Sequence, residues 1–237
     1  MRKTCFSTLV VLLLSACAQV ERPPSPDAAE NGTKLSSEAQ ADLYLGVVDG
    51  LIRQQRYEAA IAFLAKYQKS ATLTPRFHKL AGDALAGAGR TEEALSAYRQ
   101  ALNSDMAAAA YDGMGRALSA RGRWKEAAEN FRQAATIAPT SAAYLNNFGY
   151  AQLKQGFRGP LLAPVVSELQ RAHELDPASS LIRDNLALAL ALTGRKAELQ
   201  ALLDAIPATD WRSRVARFSA DWRPDWSSDT GLKEDVP

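Results

Sequence analysis

Cysteine and histidine are scarce in this 237-residue sequence, which has two of each. Cys5 and Cys17 both lie near the N-terminus, so the rest of the chain can form no internal disulfide. His78 and His173 lie far apart and have no HExxH context, which argues against a metal site or a histidine-based catalytic pair. No glycine-rich phosphate-binding motif occurs. We therefore predict no catalytic residue, no metal and no cofactor.

An excess of charge of either sign is also missing. The net charge is +2, and removal of Arg2 and Lys3 leaves 26 basic and 26 acidic residues. Such a chain creates no strong field toward nucleic acid, so we predict no nucleic-acid partner. Since catalytic and phosphate-binding motifs are missing, we also predict no small-molecule substrate. Runs of Val, Ile and Thr are absent, whereas Ala and Leu dominate. This composition favours an all-α fold.

The N-terminus predicts export and lipid attachment. A basic start precedes an apolar run at residues 6–14, which is too short to span a bilayer and ends in small residues. Residues 14–17 (LSAC) resemble the lipobox of bacterial lipoproteins, which implies cleavage before Cys17 and acylation of that residue. An ordinary secretory signal with a chance cysteine is the alternative. Ala18 stands where an aspartate commonly retains such proteins at the inner membrane of Gram-negative bacteria. The resemblance therefore implies the outer membrane, with the chain facing the periplasm.

Composition divides the sequence into four predicted segments. They are a signal peptide at 1–16, an acylated cysteine and Pro-rich tether at 17–38, a repeat domain at 39–206, and a tail at 207–237. In the tail, residues 210–221 have the pattern of a further helix, and Trp211 has the spacing to cap the last apolar face. Trp222 and Trp226 are candidate partner contacts, since tryptophan is enriched at binding hot spots.

An internal repeat organises the central segment. Gly89, Gly122, Gly156 and Gly194 are 33, 34 and 38 residues apart and each follows an apolar helical stretch, so we expect each to end a helix. One unit carries Tyr111-x2-Met114-Gly115-x2-Leu118, then Ala127-x3-Phe131, then Pro139, which resembles the tetratricopeptide repeat (TPR) pattern. The resemblance covers residues 39–206. It implies a superhelical solenoid of about five helix-turn-helix units with a C-terminal capping helix.

Two features of the repeat give sharper expectations. Gly115 and Ala127 occupy positions where two helices cross closely, so a larger side chain there would separate them. The fourth unit contains four extra residues in the linker 156–166, where Gly159, Pro160 and Pro164 break the helix. We predict a bulged loop, with the second helix starting near Pro164. This insertion is either a functional device or a tolerated surface insertion.

The resemblance also implies a binding surface, because the first helix of each TPR unit lines a concave face that binds peptides or helices. We interpret Asn147 as partly structural and Asn146 as the better groove residue. The surface mixes charges with apolar area, which suits a protein segment better than a phosphate-rich polymer. The groove residues implied by this alignment are Asp49, Arg53, Lys79, Asp83, Asp112, Arg116, Asn146, Tyr150, Lys154, Asp184 and Leu188.

The stretch at residues 144–195 (YLNNFGYAQLKQG…LQRAHELDPASSLIRDNLALALALTGR) resembles the TadD family. These are TPR lipoproteins of the tight-adherence, or Flp, pilus assembly machinery. The resemblance implies a scaffold that binds protein partners, the secretin or other pilus-assembly subunits, in building the outer-membrane part of a pilus secretion system. The helix-breaking insertion departs from the simplest version of the repeat.

Other functions stay open at this point. The same architecture serves a type IV pilus pilotin, a component of outer-membrane protein assembly, or a regulator of peptidoglycan synthases. A hydrolase or transferase hidden in the solenoid is a remote alternative, since no nucleophile-base pair is visible.

Overall fold

The computed structural model describes residues 36–69, 72–156 and 159–204. The predicted signal peptide, most of the predicted tether, Cys17, the capping helix and Trp222 and Trp226 lie outside these residues. The described residues from 41 onward belong to one compact unit, and residues 36–40 belong to another. Of the smaller unit, the structure describes the beginning of the first helix, where the amide of Ala39 donates to the hydroxyl of Ser36 at 3.1 Å.

The described residues form ten α-helices and no strand, so the predicted all-α fold of five helix pairs is confirmed. None of these helices is long and apolar enough to cross a membrane. In chain order the helices are α1 (Ser37–Arg53), α2 (Tyr57–Tyr67), α3 (Pro75–Gly87), α4 (Thr91–Arg99), α5 (Ala107–Ser119), α6 (Trp124–Ile137), α7 (Ala142–Lys154), α8 (Ala163–Leu175), α9 (Ser180–Leu192) and α10 (Lys196–Asp204).

The turns inside the pairs follow one local design. Gly89, Gly122, Gly156 and Gly194 all have positive φ, between 69° and 82°, which confirms that they end helices. Gln55 holds the same place in the first pair with φ 58°. The next amide after four of these five turn residues, at positions 56, 90, 123 and 195, donates to the carbonyl of a leucine five residues earlier, at 2.8–3.1 Å. This bond pattern closes the preceding helix with a Schellman-type turn.

Three of the first helices, α3, α7 and α9, start at hydroxyl caps. Thr74, Ser141 and Ser179 have extended backbone, and each hydroxyl accepts the backbone N–H three residues on, at 3.2–3.4 Å. These bonds satisfy donors that a helix start leaves without a partner. Helices α3, α5, α7 and α9 contact one another in succession as well as their own partners. These four first helices are therefore adjacent along the array.

Small residues allow the helices to approach closely. A Cβ added to Gly115 would lie 2.6 Å from the ring of Phe131, and Ala127 is fully buried, as the repeat pattern predicts. A Cβ on Gly149 would lie 2.7 Å from Leu169. Gly115 and Gly149 hold the same position in their units. A glycine there lets a large side chain from the second helix of the pair fill the space between the two helices.

The insertion in the fourth pair differs from the prediction. Helix α8 does begin next to Pro164, but residues 159–162 form a 3-10 helix, where a bulged loop was expected. Leu162 is fully buried in a cluster with Leu153, Val165 and Leu190. The inserted segment therefore contributes a side chain to the core and is more than a surface loop.

Candidate functional site

The predicted groove residues lie on the first helices of the five pairs. Asp49 and Arg53 lie on α1, where the two side chains form an ion pair at 2.8 Å. Asp184 and Leu188 lie half-buried on α9, and Leu188 packs against the cluster that contains Leu186. The remaining positions lie on α3, α5 and α7, and most of them belong to one chain of polar contacts.

Asp83 on α3 is the first centre of this chain. Its carboxylate accepts a hydrogen bond from the hydroxyl of Tyr98 on α4 at 2.7 Å and pairs with Lys79 at 2.6 Å. Arg116 of the next pair approaches the same carboxylate at 3.5 Å. Burial of the Tyr98 ring, reinforced by the charge of Asp83, raises the pKa of its hydroxyl far above the usual value. Tyr98 therefore stays a neutral donor.

Asp112 on α5 is the second centre. It accepts hydrogen bonds from the Arg116 guanidinium at 2.9 Å and from the side-chain amide of Asn147 on α7 at 2.8 Å. Burial opposes the charged form of Arg116, but the carboxylates of Asp112 and Asp83, together with Tyr98, outweigh it and raise the pKa. The Asp112 side chain is only 12% exposed, whereas that of Arg116 is 54% exposed. Arg116 thus holds two carboxylates and still reaches solvent.

Asn146 corrects a prediction. It was expected to be an open groove residue, but it is 3% exposed, and its carbonyl oxygen accepts a hydrogen bond from Asn185 at 2.8 Å. Asn147, expected to be the more structural of the two, is half-buried and bonded to Asp112. The amide of Asn146 serves the junction between α7 and α9, because a buried amide must satisfy its hydrogen bonds within the protein.

Two of the junctions repeat the same bond. Asn147 and Asn185 hold equivalent places in their units. The side-chain amide of Asn147 donates to Asp112, and that of Asn185 donates to Asn146. Each acceptor lies in the preceding unit, one position before the residue that is equivalent to the donor. The third unit has Gly113 at this place. A Cβ on Gly113 would lie 2.4 Å from the Tyr98 ring, so this tyrosine occupies the space that an asparagine would use. Polar contacts consequently join α3, α5, α7 and α9 into one chain.

An aromatic cluster lies beside this chain. The rings of Trp124 and Tyr150 meet edge to face at 5.9 Å, and the Lys154 ammonium lies 5.5 Å from the Trp124 ring centre. Tyr150 and Lys154 were predicted for the groove, but Trp124 was not. Its position at the start of a second helix was the reason, since the alignment assigned the groove to first helices alone. The cluster shows that this part of the surface combines elements of adjacent pairs.

The two histidines take separate places. His78 on α3 packs edge to face with Phe77 at 5.4 Å, and burial lowers its pKa. The Nδ1 atom of His173 is buried without a hydrogen-bond partner. Within the described part of the chain, His, Cys, Asp and Glu side chains form no group of three that could hold a metal ion.

Comparison with known proteins agrees with this geometry. A sequence profile described as "TPR repeat" matches residues 115–156. No curated protein sequence matches the chain. Among solved structures, MamA from Desulfovibrio magneticus RS-1 aligns with a TM-score of 0.54 and 19% identity, over 78% of this chain and 97% of that one. YrrB, described as a TPR protein with an unusual peptide-binding site, aligns with a TM-score of 0.56 and 19% identity, over 73% and 89%. The helix pairs therefore form a tetratricopeptide-repeat solenoid.

Proposed function

We propose that this chain is a lipid-anchored TPR scaffold of the outer membrane that binds protein partners. We further propose that it acts in assembly of a Tad/Flp-type pilus secretion machine, where it assists the secretin. The observation that carries the first proposal is the face formed by Arg116, Tyr150 and Lys154 together with Trp124. A partner meets there two cationic side chains and two aromatic rings, a combination enriched at protein-binding hot spots.

The charge balance of this face favours a polypeptide as the partner. Lys79 and Arg116 are held by Asp83 and Asp112, so the polar chain from Lys79 to Arg116 has no net charge. A phosphate-rich polymer requires an excess of unpaired cations. An extended or helical segment instead uses apolar area, here Tyr150 and Trp124, with a few hydrogen bonds to fix its register.

The anchor and the machine are supported by the sequence. The LSAC motif supports acylation of Cys17, and Ala18 supports the outer membrane. The likeness of residues 144–195 to the TadD family supports the pilus machine. Envelope localisation and a secretin partner follow from these two resemblances.

Gene deletion tests the machine. Loss of the gene should abolish secretin multimers and surface pili, and the wild-type chain should restore both. The Cys17→Ser chain should restore neither and should take up no labelled fatty acid. Normal multimers and pili in the deletion strain would remove the pilus hypothesis and leave the other envelope scaffolds.

A second set of variants tests the face. The double variant Tyr150→Ala/Lys154→Glu should lower binding of the purified secretin about tenfold or more, because it removes apolar area and reverses one charge. Arg132→Glu on α6, a change of an exposed arginine paired with Glu129, is the matched control and should bind normally. Equal binding by all three chains would place the partner on another surface.

A further inference from the structure

The outward face of α1 is apolar. Leu43 is 63% exposed and Val47 is 46% exposed, although both have large hydrophobic side chains. Gly46 and Gly50 share this face, because spacings of three and four residues place side chains on one side of a helix. A Cβ added to either glycine would meet no atom within 4 Å. The buried residues Leu45 and Val48 lie on the other side of the helix.

The apolar surface continues onto α2. Tyr44 lies next to Leu43, its hydroxyl donates to the backbone carbonyl of Phe63 at 2.8 Å, and the two rings are 5.8 Å apart. Phe63 is itself 42% exposed. We call Leu43, Gly46, Val47, Gly50 and Phe63 the α1 face. Terminal units of a solenoid normally present a polar outer side, so an uncharged apolar face at this end requires a cover.

The preceding stretch of sequence is a poor cover. Between residues 17 and 36, Val20 and Leu35 are the only large aliphatic residues, and no aromatic residue occurs. This stretch also contains three prolines and five charged side chains. The predicted tether therefore contains little apolar side-chain area.

The order of charges along α1 favours a second copy of the chain as the cover. Asp42 and Arg53 lie near the two ends of the face. Asp42 pairs with Arg76 and Arg53 with Asp49 in the same chain, each at 2.8 Å, but the two side chains remain 66% and 74% exposed and can take a second partner. In an antiparallel helix pair related by a two-fold axis between Val47 and Val48, Asp42 of one copy lies opposite Arg53 of the other, and the reverse. The centre of the contact carries no charge that would meet its own copy. Glycines at the centre let the two helices approach closely.

We propose that two copies of this protein associate through the α1 face, with their first helices antiparallel. The contact consists of one helix face and part of a neighbour, which is at the small end of specific interfaces. We therefore expect a dissociation constant on the order of 10 µM. The contact does not depend on the partner proposed above. It uses the side of α1 that faces away from the core, and Arg53 is the one predicted groove residue that takes part in it.

Sedimentation equilibrium of the full-length chain in density-matched detergent tests the proposal. The wild-type chain should pass from monomer to dimer as its concentration rises through the micromolar range. Val47→Glu should weaken the dimer at least tenfold, because it places two carboxylates beside the two-fold axis. Leu181→Glu, at a 62% exposed leucine on α9, is the matched control and should dimerise normally.

A charge exchange tests the antiparallel arrangement. Arg53→Glu should weaken the dimer because the new carboxylate would face Asp42 of the second copy. The double variant Asp42→Lys/Arg53→Glu should restore the dimer, although it loses the intrachain pairs with Arg76 and Asp49. A wild-type chain that stays monomeric to about 100 µM overturns the proposal, as does a dimer unaffected by Val47→Glu. Failure of the double variant to restore association overturns the antiparallel pairing. A monomer that Val47→Glu destabilises would instead mean that the chain covers its own α1 face.

Discussion

The side-chain amide of Asn147 lies 2.8 Å from the carboxylate of Asp112, one helix pair earlier in the chain. This carboxylate is almost fully buried and has Arg116 as its other partner. The bond thus ties two consecutive units through a group that would otherwise lack a donor on one oxygen.

Removal of this amide should therefore cost stability. We expect Asn147→Ala to lower the free energy of unfolding by about 1.5–3 kcal/mol, since hydrogen bonds to charged groups contribute that much. Urea unfolding followed by circular dichroism measures the change. Asn130→Ala is the control, because Asn130 donates only to the carbonyl of Glu126 in its own helix. If Asn130→Ala lowered the free energy of unfolding as much as Asn147→Ala, the inter-unit bond would have no special importance.

Replacement of Gly115 or Gly122 by alanine should destabilise the protein, for a different physical reason at each position. A Cβ at position 115 meets the buried Phe131 ring, and overpacking of this kind costs about 2 kcal/mol. A Cβ at position 122 meets nothing, but its φ of 73° costs an L-residue about 1 kcal/mol. Substitution Phe131→Leu should reduce the cost of Gly115→Ala and leave that of Gly122→Ala unchanged. Additive free energies in both double variants would contradict this distinction.

Gln55 offers a stabilising change. It is the non-glycine residue with positive φ in the described chain, at the place where four other units have glycine. We expect Gln55→Gly to raise the free energy of unfolding by about 0.5–1 kcal/mol, because relief of the backbone strain exceeds the added entropy of the unfolded chain. Thermal unfolding checks this. The neighbouring change Gln54→Gly should not stabilise the protein; if it does, the gain at 55 is not due to the backbone angle.

His78 should make stability depend on pH. Burial lowers its pKa in the folded chain, so the unfolded chain takes up a proton at higher pH, near 6.5. Protonation then favours unfolding, and the stability present above this pH is lost as the pH falls below it. Urea midpoints at pH 7.5 and 5.5 measure the loss, above the range where carboxylates titrate. His78→Phe should show a smaller difference between the two pH values. An equal difference in both chains would assign the effect to another group.

Much of the fold could be predicted because its signals are local. The glycines that end helices are visible at their regular spacing, and a positive φ is a property of one residue and its neighbours. Pro164 similarly marks the start of α8, since its ring fits the first turn of a helix. Such features need no knowledge of distant contacts.

The polar chain was harder to predict because it depends on which side of each first helix meets the next one. Asn146 and Asn147 are adjacent, so a small rotation of α7 decides which amide is buried. The alignment gave their register but not this rotation. The hydrogen bond from Tyr98 to Asp83 was equally hard to predict. The Tyr98 ring can lie there only because Gly113 of the next unit has no side chain. Contacts that require three elements at once leave no periodic signal in a single sequence.

Leu162 changes the meaning of the insertion in the fourth unit. Once its side chain occupies the space among Val165, Leu153 and Leu190, trimming the linker to ordinary repeat length would leave a hole there. A hole left by one leucine costs about 2–5 kcal/mol. The insertion therefore cannot be deleted without a loss of stability. A linker of the common repeat length would be tolerated only if neighbouring side chains became larger and filled the vacated volume.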